Sequence, residues 1–423
     1  MNINTFKAFR IRNYRLYFTG QSASLTGTWM QRTAVYWLIY VQTHSTFMLG
    51  LAVFATQFPS FLFSPLGGVV SDRYNRYHVM LFTQIASLVQ ATLLMSLVMF
   101  TRYTVWEIFA LSVMLGIINA FDVPARHSMV NEIINNKEDL PNAIALNSSM
   151  ANLARMIGPA LSGIVLEKFG AGICFMINAF SFTAVIVSLV FMRFPEFIPQ
   201  PHTKKVFREF KEGWKYLKHT PHIGFVILLL ACVSLLVLPF ITLLPVYAKV
   251  IFKGNASTFG YLNSFIGIGA ISGAIFLASL KTGVNLKKIL FINLLIFGAA
   301  LALFSHITNF PVALVFAMLA GFGMMSQSTI SNTIIQTNAS AEMRGRVLSF
   351  FAMAFFGMQP LGGLLIGTIS QYISAPNTIL AEGIIAVLIA FIFLPFLRKD
   401  ILTGKDKIKL VELEDPSVEI NQQ

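Results

Sequence analysis

The sequence predicts an all-α integral membrane protein with twelve transmembrane helices in two pseudo-symmetric bundles of six. Three observations support this fold class. Of the 423 residues, 56% are hydrophobic and only 12% are charged, with a mean hydropathy of +0.70, whereas a soluble protein has about twice that charged fraction. Long apolar runs recur along the whole chain. One polar stretch separates the first six runs from the last six.

Each run is long enough to cross a bilayer, which takes about 20 apolar residues in a helix. The runs lie near 16–40, 47–70, 78–101, 105–128, 142–167, 171–193, 222–248, 257–280, 286–307, 310–335, 346–373 and 378–397. They divide the chain into an N-terminal bundle, a linker, a C-terminal bundle and a tail, at 1–193, 194–221, 222–397 and 398–423. Within the linker, residues 203–218 carry apolar side chains at helical spacing with bases on the other face, which predicts an amphipathic helix on the inner membrane surface.

The distribution of basic residues predicts the orientation. Of 31 Lys and Arg residues, 24 lie in segments on the same side as the N-terminus, four lie on the other side and three lie within spans. This bias places both termini in the cytoplasm. The net charge of +13 is spread over short loops instead of forming one patch, so membrane lipids are the expected partners and nucleic acid is not.

Composition also argues against metal and catalytic sites. The two cysteines, Cys174 and Cys232, lie inside apolar runs and are expected to be buried small hydrophobes. The seven histidines lie in loops or near span ends, and the spans contain no His-x-x-x-His or Gly-x-Ser-x-Gly pattern. We therefore expect no catalytic residue, metal or cofactor.

Residues 68–76, at the end of the second run, contain Gly68, Asp72, Arg73 and Arg76. This segment resembles the signature loop Gly-x-Leu-Ala-Asp-Arg-x-Gly-Arg-Arg of the major facilitator superfamily of transporters. Asn75 replaces a glycine of that signature and is expected to form a left-handed turn. The resemblance implies a conformational latch that joins the two halves when the transporter opens outward; the alternative is a set of charges that only sets topology.

The latch has candidate partners in both halves. Asp72 can face the positive N-terminal end of the eleventh span, which begins near residues 342–346. Arg73 and Arg76 can pair with an acid at the end of the fourth span, either Asp122 or Glu132.

The fifth run contains small residues at regular spacing around a proline, which permits close helix approach and a bend. Ala145, Ala154, Gly158, Pro159, Ser162 and Gly163 resemble the antiporter motif of the same superfamily, Gly-x8-Gly-x3-Gly-Pro-x2-Gly-Gly. The resemblance implies an exporter, and ordinary small-residue packing is the alternative. A shift of 210 places Gly50 on Gly260, which suggests duplicated halves with a cavity between them.

Four further segments, at 27–31, 120–126, 157–160 and 344–347, resemble the bacterial branch that includes the enterobactin exporter and the macrolide efflux proteins. The resemblance implies export of a small amphipathic organic molecule, such as a drug, macrolide or siderophore, across the inner membrane by proton antiport. We expect a monomer. Two alternatives stay open, a lysophospholipid flippase of the same fold and, more remotely, a membrane-embedded enzyme.

Polar residues inside spans are costly in hydrocarbon and are candidates for the substrate or proton pathway. They are Arg32, Gln57, Asn119, Asp122, Arg126, Asn147, Arg155, Gln327 and Gln359. The surplus of arginines indicates either an anionic or catechol-like substrate, or pairing with acids elsewhere. Ser112 stands where proton-coupled members usually have arginine, which leaves Asp122 as proton carrier or latch partner and Glu382 as a second proton-carrier candidate.

Overall fold

The computed structural model describes residues 3–134, 136, 138–192, 206–281, 283–340 and 342–414. Within these residues the regular secondary structure is helical, which confirms the predicted all-α class. The first part of the expected linker, at 194–205, and the end of the tail, at 415–423, lie outside the described residues.

Six long helices form the N-terminal half. They are α1 (Arg12–Thr43), α2 (Thr46–Arg73), α3 (Arg76–Phe100), α4 (Val105–Ile133), α5 (Leu140–Phe169) and α6 (Ala171–Val190). Side-chain caps fix several starts: Ser45 accepts from the Met48 N–H before α2, and Thr104 forms a capping box with Glu107 before α4. Gly170, with φ of +82°, allows the tight turn from α5 into α6.

A short helix and six longer ones follow. They are α7 (Val206–His219), α8 (Pro221–Ile251), α9 (Ala256–Ala278), α10 (Leu286–Phe304), α11 (Phe310–Asn338), α12 (Arg344–Ile373) and α13 (Ala375–Glu414). Helix α8 tightens to a 3₁₀ segment at Leu238–Leu243, where Pro239 removes a backbone donor, as Pro245 does just after it. Helix α12 contains a π-helical turn at Met353–Gly357.

Eleven of the described helices are long and apolar enough to span a membrane, namely α2–α6, α8–α12 and the Ala375–Phe396 part of α13. Helix α1 has 32 residues, or about 48 Å, which exceeds the bilayer core. It is more polar than the others because it carries Gln21, Gln31 and Arg32 among several hydroxyl residues. The apolar-span count is thus eleven, with α1 in the place of the first predicted span.

The buried apolar core consists of clusters that lie mainly in one half, although Tyr40 and Leu49 join the C-terminal cluster and Ala256 joins an N-terminal one. In the C-terminal half one cluster runs from α8 to α13 and includes Tyr247, Phe297 and Phe304. The buried Tyr247 hydroxyl donates to the carbonyl of Ser305 at 2.6 Å, so its polar atom is satisfied inside the core. The N-terminal half contains separate clusters around Phe175 and around Tyr14.

Helix α7 lies against the start of α12. The Phe210 and Trp214 rings lie 4.8 and 6.1 Å from the Phe350 ring, and Glu212 pairs with Arg346 at 2.8 Å. The predicted amphipathic helix therefore exists, and part of its apolar face packs on the C-terminal half. Phe210 and Trp214 remain about half exposed, which leaves the membrane-surface location a prediction.

Candidate functional site between the two halves

The two halves meet at the end of the bundle where α1 ends and α2 begins. We call it the opposite end, because it lies opposite to residues 68–76. There α5 packs on α9 through a pair of glycines. A Cβ built at Gly163 would lie 2.7 Å from the Ala256 carbonyl oxygen, and one built at Gly260 would lie 2.7 Å from the Pro159 carbonyl oxygen. Such contacts are too short for a methyl group, so the close approach requires glycine on both helices.

Hydrogen bonds reinforce the α5–α9 contact. The Glu167 carboxylate accepts from Asn255 Nδ2 at 2.6 Å and from the Ser257 hydroxyl, and the Ser264 hydroxyl donates to the Met156 carbonyl at 3.0 Å. Glu167 therefore lies at the N-terminus of α9, where the helix dipole favours an anion.

A second pair of glycines joins α2 to α12. A Cβ at Gly50 would lie 2.5 Å from the Gly363 carbonyl oxygen, and one at Gly367 would lie 2.5 Å from the Thr46 carbonyl oxygen. Both pairs belong to the same end of the bundle, since Thr46 begins α2 and Ala256 begins α9. The two halves are therefore closed together at the opposite end.

The other end, which we call the basic end, carries residues 68–76 and is open around that loop. Asp72 and Arg73 are exposed, and a Cβ at Gly68 would meet no atom within 4 Å. Gly345, at the start of α12, has the same free space. Asp72 forms no ion pair among the described residues, while Arg346 of α12 pairs with Glu212 instead.

Within the N-terminal half, one proposed latch contact is present. Arg76 Nη1 lies 2.6 Å from Glu132 Oε1, so of the two acids considered Glu132 is the partner in this conformation. Asn75 has φ of −59° and caps α3 by accepting from the Tyr77 N–H at 2.9 Å. The expected left-handed turn at Asn75 is wrong, because the residue is used as a helix cap.

Asp122 lies inside the N-terminal half. It is 4% exposed, and its Oδ1 accepts from Thr83 and Gln84 of α3 at 3.0 and 2.7 Å. Its Oδ2 lies 3.6 Å from Arg126 Nε, as the i,i+4 spacing predicts. Arg126 also donates to Gln21 of α1 at 3.5 Å. The carboxylate faces α3, away from the other half.

Arg32 and Arg155 meet at one aromatic ring. The Arg32 Cζ lies 4.7 Å from the centroid of the Trp29 ring, and the Arg155 Cζ lies 5.1 Å from the same centroid. Gly158 permits this arrangement, because a Cβ there would lie 2.6 Å from the Trp29 Cβ. Gly158 thus leaves room for Trp29 of α1 to pack against α5, and Gly163 leaves room for α9. Ala154 and Pro159 of the same motif are also buried.

A chain of buried amide side chains begins at Gln31, next to Arg32. Gln31 donates to Gln90 at 3.0 Å and accepts from Asn178 at 2.8 Å, and Gln90 donates to the Leu111 carbonyl at 3.0 Å. These bonds tie α1 to α3, α4 and α6. The sequence reasoning missed Gln90 and Asn178; their only signal was an amide inside an apolar run.

The remaining candidates are dispersed. Gln57, Asn119 and Gln359 are half-buried, and Asn147 accepts from the Tyr14 hydroxyl at 3.2 Å. Gln327 is 1% exposed, and neither atom of its amide has a hydrogen-bond partner in the structure.

Glu382 of α13 is also 1% exposed, and neither of its carboxyl oxygens has a hydrogen-bond partner among the described residues. Among the residues the structure describes, no group of three or more His, Cys, Asp and Glu residues could hold a metal ion. Outside the Arg32 and Arg155 contacts with Trp29 and the Asp122–Arg126 pair, the candidate polar residues are therefore dispersed over several helices.

Comparisons with known proteins agree with this architecture. The chain is 25% identical over 393 residues to a staphyloferrin A transporter of Staphylococcus aureus, covering 91% of this chain and 96% of that protein. It is 21% identical over 394 residues to macrolide efflux protein A of Streptococcus pyogenes (90% and 96% covered) and 22% identical over 390 residues to an enterobactin exporter of Shigella flexneri (91% and 92% covered).

A crystal structure of the nucleoside transporter NupG superposes with a TM-score of 0.74 at 11% identity, over 91% of this chain and 99% of that one, and shares the fold. The model of the transmembrane secretion effector family matches residues 3–422. The chain is a small-molecule efflux transporter and not an enzyme, and it belongs to the transmembrane secretion effector family of the major facilitator superfamily.

Proposed function

We propose that this transporter exports a small amphipathic organic molecule, drug-, macrolide- or siderophore-like, across the bacterial cytoplasmic membrane by alternating access. The observation that carries the proposal is the asymmetry of the bundle: the halves are closed at the opposite end through two glycine pairs and are open around residues 68–76. A transporter needs one closed and one open end in each of its working states. The names of the relatives support an organic cargo.

The orientation follows from the basic residues. Since 24 of 31 lie on the side of the N-terminus, we assign the basic end and both termini to the cytoplasm. The structure then corresponds to an inward-facing conformation. In the outward-facing state the basic ends of the halves would approach each other, so that Asp72 could reach the start of α12.

Under this proposal the polar residues divide into two roles. Arg32, Arg155, Gln57 and Gln359 contact the substrate in the space between the halves, with Asn119, Asn147 and Gln327 as further pathway candidates. Gly68, Asp72, Arg73 and Arg76 form the latch that closes the basic end. Asp122 and Arg126 hold α3 and α4 together, as their mutual contacts within one half support.

Proton antiport is part of the proposal. Ser112 bonds back to the Ile108 carbonyl at 2.8 Å and offers no charge at the usual arginine position. Glu382 is the candidate for a proton carrier in the C-terminal half, because a buried carboxyl group without a partner is costly in its ionised form. The protein is expected to act as a monomer in contact with membrane lipids.

Reconstitution tests the function. Purified protein in liposomes should move at least one compound from a panel of macrolides, dyes and siderophores faster than protein-free liposomes do, and an imposed pH gradient should accelerate that movement. A parallel assay with a fluorescent lysophospholipid separates export from lipid flipping. The proposal fails if no compound in the panel moves faster with the protein present, and proton antiport fails if the gradient has no effect.

A further inference from the structure

Two cationic side chains share one tryptophan in the N-terminal half of the bundle, and neither has a carboxylate partner among the described residues. Arg32 and Arg155 each place a guanidinium group against Trp29, at 4.7 and 5.1 Å from the ring centroid. Among the described residues neither forms an ion pair with a carboxylate. Both side chains are half-buried in helices that cross the membrane.

Four of the described acids are engaged in other contacts. Glu132 pairs with Arg76, Asp122 lies 3.6 Å from Arg126, and Glu212 pairs with Arg346. Glu167 is used in the contact between α5 and α9.

An uncompensated charge at membrane depth is costly, and two like charges on one ring repel each other. The indole face offsets only part of this cost, since a cation–π contact contributes about 0.5–2 kcal/mol. The positive charges of Arg32 and Arg155 are therefore not neutralised by any described side chain.

The surroundings suit a ligand that is both anionic and flat. Arg32 also lines a small recess with Thr28, whose hydroxyl can donate a further hydrogen bond, whereas Gln31 and Thr56 donate to other groups. Guanidinium groups bind carboxylates through two parallel N–H donors and stack on planar groups. Two guanidinium groups at one indole can therefore bind two anionic groups of a single molecule.

We propose that Trp29, Arg32 and Arg155 form an anion-binding subsite, and that the exported substrate is a small organic anion bearing carboxylate groups. This inference rests on the proposed export function and specifies its substrate class. The subsite lies on α1 and α5, so the substrate bridges these two helices. Bound anion neutralises the two arginines, which makes the loaded cavity less costly to enclose during the change of conformation.

Equilibrium binding to the purified full-length protein tests the subsite without any transport step. The probes are citrate, as a polycarboxylate, and dihydroxybenzoate, as a flat aromatic carboxylate, with ethidium as a cationic comparator. We expect one of the two anions to bind, and Arg32→Gln and Arg155→Gln each to weaken that binding about tenfold or more. Arg155→Lys should weaken it less, because the charge remains while the paired donors are lost.

Arg102→Gln is the matched control, since it removes the same charge from an exposed loop at the opposite end. It should leave anion binding unchanged, and chromatographic profile and melting temperature show whether each variant is folded. The subsite is refuted if neither anion binds wild type, if the folded Arg32 and Arg155 variants bind like wild type, or if Arg102→Gln weakens binding equally. Transport of cations alone would refute the subsite and leave the export function intact, whereas anion binding without any transport would do the reverse.

Discussion

A methyl group at Gly163 should shift this transporter toward a conformation in which the opposite end is open. In the closed opposite end, the Cβ of Gly163→Ala would lie 2.7 Å from the Ala256 carbonyl oxygen, 2.9 Å from Ser257 Cα and 3.1 Å from Gly260 Cα. Because all three atoms belong to the backbone of α9, the clash cannot be relieved by turning a side chain. Helices α5 and α9 have to separate.

Only the closed state contains this clash, so its cost acts directly on the conformational equilibrium. Overpacking of this kind costs about 1–3 kcal/mol. The same difference between two states corresponds to a shift of about 5–150-fold in their ratio. Glu167→Gln should shift the equilibrium in the same direction by less, because at this exposed position its two hydrogen bonds contribute only about 1 kcal/mol each.

Distance measurements between spin labels can follow the opening. Cysteines replace Arg102 and Thr308, which are exposed in loops of the two halves at the opposite end, in a background without Cys174 and Cys232. Gly163→Ala should increase the population at the longer distance. Gly224→Ala is the control, because a Cβ there meets only the Leu217 carbonyl oxygen at an ordinary 3.4 Å.

The comparison of the two alanine variants shows whether the contact at Gly163 controls the closed end. If Gly163→Ala and Gly224→Ala give the same distance distribution as wild type, the glycine contact does not control the closed end. A loss of folded protein for Gly163→Ala alone would show that the contact supports assembly of the bundle instead of its conformational balance.

Three further predictions concern acidic residues. Asp72→Asn should slow transport while leaving membrane insertion and melting temperature unchanged, since Asp72 is exposed and forms no ion pair with another described residue; normal transport would remove the latch role. Asp122→Asn should lower the melting temperature, because Arg126 loses its ion pair and about 1–3 kcal/mol is at stake for a buried charged contact; an unchanged melting temperature contradicts this. Glu382→Gln should fold like wild type, as both oxygens lack partners, and should make transport insensitive to the pH gradient; retained sensitivity would exclude Glu382 as the carrier.

The sequence was informative where composition and spacing decide the structure. Apolar runs and their lengths predicted the helices, and the i,i+4 spacing predicted the Asp122–Arg126 pair. Contacts between distant segments were not accessible in the same way. Nothing in the local sequence of Glu132 distinguishes it from Asp122 as a partner for Arg76, because the choice depends on how α3 and α4 are placed against each other.

The same limit applies to Trp29. Its segment contributed to the family resemblance, but a sequence cannot show that Arg32 and Arg155 approach the same ring, since the two arginines lie on different helices. Gly158 makes this arrangement possible. In the sequence it looks like ordinary small-residue packing, and only the structure shows that its neighbour is Trp29. The segment that resembles the antiporter motif therefore helps to place an aromatic ring between two cations.

Duplication of the halves accounts for the way the opposite end closes. The shift of 210 that places Gly50 on Gly260 relates two residues that both lie at contacts between the halves, Gly50 against Gly363 and Gly260 against Gly163. Each contact thus pairs a helix from one half with a helix from the other, and the two contacts are equivalent under the internal symmetry. Because the two glycine contacts have the same geometry, one half can rotate about one contact when a clash arises at the other. We therefore expect Gly163→Ala to open this end of the bundle instead of unfolding the protein.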